Sequence, residues 1–105
     1  MIYKFKSQAT GDLIMLGPHG DRVLRLLGRE PAAQGIIEPA AMPAAIAALE
    51  AAAAEDDEAR REAGAGDELE AARIARQVSL RSRVWPMIQM LRRAHEADEP
   101  VVWGV

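Results

Sequence analysis

The densest set of groups capable of chemistry is one run of five residues, Gly17-Pro18-His19-Gly20-Asp21. Glycines let backbone N–H groups approach an anion, a histidine can exchange a proton near neutral pH, and an aspartate can accept hydrogen bonds. The run lies between an apolar stretch and a helical pattern, so it reads as a strand-to-helix loop. Gly17, His19, Gly20 and Asp21 are therefore the candidate ligand-binding residues. Against a phosphate site, no Lys or Ser/Thr stands at P-loop spacing, no GxGxxG occurs, and an aspartate at the helix cap repels an anion.

The remaining groups are dispersed. Cysteine is absent, which excludes disulfides, thiolate ligands and thiol nucleophiles. His19 and His95 are the only histidines. His95 and Glu99 stand four apart with Glu96 and Asp98 near, but a metal centre needs several convergent ligands and no HExxH is present. A histidine near a helix C-terminus, where the dipole favours its cation, accounts for that spacing. Consecutive acids in Glu55-Asp56-Asp57-Glu58 point around a helix and suit a solvated face. Ser79 and Ser82 have no base at catalytic spacing and no GxSxG around them, and Ser79 reads as a helix cap. Arginines 73, 76, 81, 83, 92 and 93 scatter around their helices with no aromatic side chains interleaved, and the net charge is −3. Nucleic-acid binding is disfavoured on both counts. The sequence predicts no catalytic constellation, no metal and no cofactor.

The elements that must position these groups follow from periodicity. Ile2-Tyr3-Lys4-Phe5-Lys6 alternates, Tyr3 and Phe5 on one face and Ile2, Lys4 and Lys6 on the other, which predicts a strand with one face partly solvated. Ala9-Thr10-Gly11-Asp12 is turn chemistry. Leu13-Ile14-Met15-Leu16 is apolar on both faces, so it is expected to pair antiparallel with the first strand and to lie more centrally than it. Asp21 should cap a short helix over residues 22–27, with Gly28 closing it. Within residues 29–42, punctuated by Pro31, Gly35 and Pro39, Gly35-Ile36-Ile37 reads as a short extended piece. Pro43 suits the first turn of a helix whose stripe is Met42, Ile46, Leu49 and Ala53.

After Leu49 that stripe fades to alanine, and Asp56–Arg60 and Asp57–Arg61 form i,i+4 pairs suited to an exposed helix. Gly64-Ala65-Gly66 breaks it, and Asp67 with Glu70 has the spacing that starts a second helix running to about Gln77. Leu80, Val84, Met87, Ile88, Leu91 and His95 make the strongest amphipathic helix. Pro86 inside it predicts a kink or a first turn ending at Trp85. Asp98-Glu99-Pro100 ends this helix, and residues 101–105 form a closing strand. At least one of Trp85 and Trp103 should cover the seam between sheet and helices.

Composition divides the chain. Of 105 residues 50% are hydrophobic, but alanine supplies 21 of those 52 and buries little area. Residues 50–78 hold only three large apolar side chains, Leu69, Ile74 and Val78, with nine acids against four arginines. The expected organisation is one domain, its core formed by residues 1–55 and 79–105, with 56–78 an acidic, alanine-rich helical arm or flexible insert. So small a core makes association with itself or a partner plausible. No run reaches the ~18 apolar residues a membrane span needs. The N-terminal residues lack an apolar signal region, which makes the cytoplasm the default address.

Three blocks in order, IMLGPHGDRVLRLLG, EPAAQGIIEPAAMPAAIAALEAA and WPMIQMLRRAHEADEPVVWGV, resemble a family of short bacterial proteins, domain of unknown function 1840. The resemblance covers nearly the whole chain and is loosest over 50–78. It implies a stand-alone protein and supplies no catalytic residues.

The expected fold is α+β: a small, mainly antiparallel sheet from the N-terminal hairpin and the C-terminal strand, packed by helices over 21–28, 43–55 and 80–97. Helices should cover one sheet face, leaving Lys4, Lys6 and some apolar side chains on the other as a candidate dimer surface. The expected function is a small cytoplasmic interaction or accessory protein that self-associates, its partner a second copy or another protein. The alternatives are a small-ligand binder or enzyme using the Gly17–Asp21 loop and His19, and a weak nucleic-acid binder using the arginines.

Overall fold

Alternation over Ile2–Lys6 buries Tyr3 and Phe5 and leaves Ile2 and Lys4 exposed, forming strand β1. The computed structural model describes residues 2–105. After the turn come β2 (Leu13–Leu16), α1 (Gly17–Leu26), β3 (Gly35–Ile37) and a 3-10 turn at Pro39–Ala41. Then follow α2 (Met42–Gly64), α3 (Glu68–Ala75), α4 (Leu80–Glu96) and β4 (Val101–Trp103). The strands make one antiparallel sheet in the order β2-β1-β4-β3. The architecture is α+β, with the extended piece at Gly35–Ile37 taking the far edge.

One sheet face carries Tyr3, Phe5, Met15, Ile37, Val101 and Trp103 and is covered by helices. α2 contributes Met42, Leu49 and Ala53, and α4 contributes Val84, Met87, Ile88 and Leu91, all buried. Trp103 is the tryptophan of the seam: its ring lies 5.6 Å from that of Phe5, and its indole N–H donates to the Ala32 carbonyl at 2.9 Å. Gly35 sits opposite it in register, and a Cβ at Gly35 would fall 2.1 Å from the indole, so the ring occupies the space a side chain would need. Trp85 stays 49% exposed, with the Arg92 guanidinium 6.0 Å over its ring.

Several expectations change. β2 is not central; it is the edge strand, and β1 lies inside. Its apolarity on both faces arises because Met15 enters the core while Ile14 and Leu16 stand in solvent. The Gly17–Asp21 run is not a loop. β2 passes directly into α1 at Gly17, with Pro18 in the first turn where its missing N–H costs nothing. Asp21 is therefore inside the helix and caps nothing. The packing helix expected to end at 55 continues without a break to Gly64. α4 runs through Pro86 as one helix. His95 is exposed, because the buried stripe of α4 ends at Ala94.

The i,i+4 pairs expected at 56–61 give way to longer-range contacts. Asp56 accepts from the Leu80 N–H at 3.0 Å, at the start of α4, and Asp57 accepts from Arg81 Nε at 2.8 Å. Arg60 donates to the carbonyls of Ile74 and Gln77 at 2.6 and 3.0 Å. Asp67 caps α3 as its spacing predicts, accepting from the N–H groups of Leu69 and Glu70, and Ser79 caps α4. The arm is thus a helical hairpin, α2 against α3, tied at its base to α4. Among the described residues no helix is long and apolar enough to cross a membrane.

Candidate functional site

The four residues singled out for ligand binding do not converge. Gly17 and Gly20 are buried. Gly20 serves Tyr3: a Cβ there would come within 2.0 Å of the Tyr3 ring. Asp21 serves it too, accepting a hydrogen bond from the Tyr3 hydroxyl. That bond, with burial and the Asp21 charge added, raises the Tyr3 pKa above its ordinary 10.0, because each favours the protonated phenol. Tyr3 is thus clamped between a glycine and a carboxylate on the first two turns of α1.

His19 points elsewhere. Arg83 Nη1 of α4 lies 2.7 Å from its Nδ1 and 2.5 Å from its Nε2. The guanidinium can only donate in this contact. These two side chains stand at one end of a groove of about 410 Å³ lined by residues 13–16 of β2, His19, Val78, Ser82, Arg83 and Pro86. A smaller stretch of about 240 Å³ shares Leu13 and Pro86 with it and reaches Asp12 and Arg93. The groove therefore runs along the free edge of β2, between that strand and α4.

The edge adjoins an apolar corner on the open face of the sheet. Ile2, Ile14 and Leu16 are 63%, 61% and 60% exposed, and Ile2 pairs with Leu16 in register while Lys4 pairs with Ile14. Lys4 Nζ lies 3.5 Å from the Asp12 carboxylate, and Lys6 donates to the Val105 carbonyl at 3.4 Å. Ile36 continues the apolar surface on the far edge. This open face with Lys4 and Lys6 matches the surface expected from the alternation of β1.

Sequence reasoning missed Arg83, Ser82, Val78 and Pro86 as groove residues. Pro86 carried a usable signal, since a proline inside a helix leaves the carbonyl four residues back, here Ser82, without its helical donor. Arg83 carried none, because its relation to His19 is made only by the tertiary fold.

The arginines do not form a basic patch. Arg81 pairs with Asp57, Arg92 with Glu50, and Arg73 with Glu70. The charged side chains lining the hollow of about 490 Å³ between α2 and α3 are all engaged: Arg60 with backbone carbonyls, Asp57 with Arg81 and Arg61 with Glu58. Among the described residues no cluster of three or more His, Asp or Glu side chains is placed to hold a metal.

A search of curated proteins and a search of solved structures each found no match to the chain. The family described as Domain of unknown function (DUF1840) matches residues 1–103. That span takes in both sheet edges, the arm and all of α4, so the chain belongs to the DUF1840 family.

Proposed function

We propose that this protein is an interaction module, acting by binding rather than by chemistry, and that its partner is a second copy of itself. The observation that carries the reading is the corner of Ile2, Ile14 and Leu16, exposed on neighbouring strands beside an unpaired edge. Exposed hydrocarbon gains about 25 cal/mol per Å² when covered. A second copy offers the same corner and so makes an isologous contact, the commonest kind in soluble oligomers. The cysteine-free composition leaves no disulfide that would need an oxidising compartment. Light scattering after gel filtration tests the reading. The mass should climb with concentration toward twice the 11.4 kDa chain, and Ile14→Lys with Leu16→Lys should hold it at one chain. A strict monomer at the highest attainable concentration overturns it.

A second reading has one observation in its favour: His19, Ser82 and Arg83 share a groove and could hold a small anion. A thermal-shift screen with nucleotides, phosphosugars and divalent metals should then give a hit that His19→Ala abolishes. Silence across the screen removes this reading.

A further inference from the structure

We propose that two copies join edge to edge through β2, antiparallel, about a two-fold axis passing at Met15, so that the two sheets become one of eight strands. This rests on the self-association reading and specifies its geometry. Three features of the edge point to it.

The first is the lack of protection. Edge strands of monomers are blunted by charge, proline or bulges, because their unpaired N–H and C=O groups otherwise template another strand. β2 is Leu13-Ile14-Met15-Leu16, without a charge or a proline, and its outer side carries no strand.

The second is register. Side chains alternate between faces, so paired residues must share a face and their numbers must sum to an even value. A two-fold at Met15 sets Met15 opposite Met15 on the helix side and Ile14 opposite Leu16 on the open side. Combined with the pairs Ile2–Leu16 and Lys4–Ile14, this makes two rows across four strands. Each runs Ile2, Leu16, then Ile14 and Lys4 of the second copy. Apolar meets apolar at the junction, and the lysines are kept to the ends of the rows.

The third is charge. Antiparallel pairing carries Asp12 of the second copy to the end of β2 where His19 and Arg83 stand. Asp12 can respond, since its contact with Lys4 is 3.5 Å long and both side chains are about half exposed. The contact is repeated by symmetry. A four-residue strand with Leu13, Ile14, Leu16, Val78 and the rims of the groove makes a small contact beside the ~800 Å² per copy of a standard interface. The expected dimer therefore exchanges with monomer, so that its population follows concentration.

The test uses the full chain, which has no native cysteine to interfere. Ile14→Cys and Leu16→Cys proteins, mixed under mild oxidant, should cross-link to each other. Facing Cα atoms in an antiparallel pair are ~4.5–5.5 Å apart, within disulfide reach. Each alone should cross-link far less. In parallel, Asp12→Arg and Arg83→Glu should each raise the dimer dissociation constant about tenfold or more, and the double variant should restore it. A dimer that persists while the mixed cross-link fails, or while both charge reversals leave its dissociation constant unchanged, overturns the β2 register and leaves self-association standing. A chain that is monomeric throughout overturns both.

Discussion

The body of the domain and its arm are built by different forces. In the body, Phe5, Leu24, Leu49, Met87, Ile88 and Leu91 are fully buried between sheet and helices, away from water. In the arm, α3 has no buried residue at all. It is held by a cap at Asp67, by Arg60 reaching its carbonyls, and by Asp56 and Asp57 reaching the start of α4. The molecule is correspondingly long, 47 × 28 × 23 Å with a radius of gyration of 15.2 Å, against ~13 Å for a compact chain of this size. Burial is non-directional and hard to screen, whereas exposed polar ties are each worth little and weaken with salt. The arm should therefore open at much lower free energy than the body.

Four changes would break or sharpen that contrast. Phe5→Ala removes a ring at the centre of the sheet's covered face and should cost about 3–5 kcal/mol, read as a large drop in the denaturation midpoint. Gly20→Ala pushes a methyl group into the Tyr3 ring and should cost about 1–3 kcal/mol through overpacking, with the same readout. Tyr3→Phe removes the bond to Asp21 and should cost about 1 kcal/mol at neutral pH.

Tyr3→Phe also carries a pH signature. The folded pKa of Tyr3 lies above 10.0, so its contribution is complete below pH 10 and is lost as pH rises through the folded value. The gap between wild type and Tyr3→Phe should accordingly close in alkali. A gap that widens there would contradict the clamp. The smallest global effect should come from Arg60→Ala, which leaves the midpoint of the body almost unchanged. It should still raise amide exchange in α3 and the 74–77 turn, most clearly at low salt. Equal exchange in both proteins would mean that the arm is fixed by something other than its polar ties.

The fold was legible where one periodicity had one cause. The alternation of β1 reported both faces of the sheet, and the capping residues Asp67 and Ser79 marked real helix starts. Legibility failed where two causes give one pattern. Two-sided apolarity in Leu13–Leu16 is produced by a buried central strand and equally by an edge strand with solvent-facing Ile14 and Leu16. A glycine pair with proline suits a ligand loop, but α1 begins at Gly17 itself, and Gly20 is small because Tyr3 lies on it. Charge pairs four apart were available to Asp56 and Asp57, yet both serve α4, because free backbone donors and Arg81 at its start outcompete a solvated neighbour. Of the four candidate site residues only His19 lines the groove.

The unbroken passage of α2 from body to arm has a consequence for how such a chain can vary. Twenty-three residues at ~1.5 Å each make a rod of roughly 34 Å, and the part of its far half beyond Asp57 is tied to α3 and the turn that follows it rather than to the core. A heptad added to that half and matched in α3 would move the Gly64–Asp67 turn outward by about 10 Å while turning it by only about 20°. The arm is in effect a ruler graduated in pairs of helical turns, whose reading can be changed without disturbing the domain that holds it.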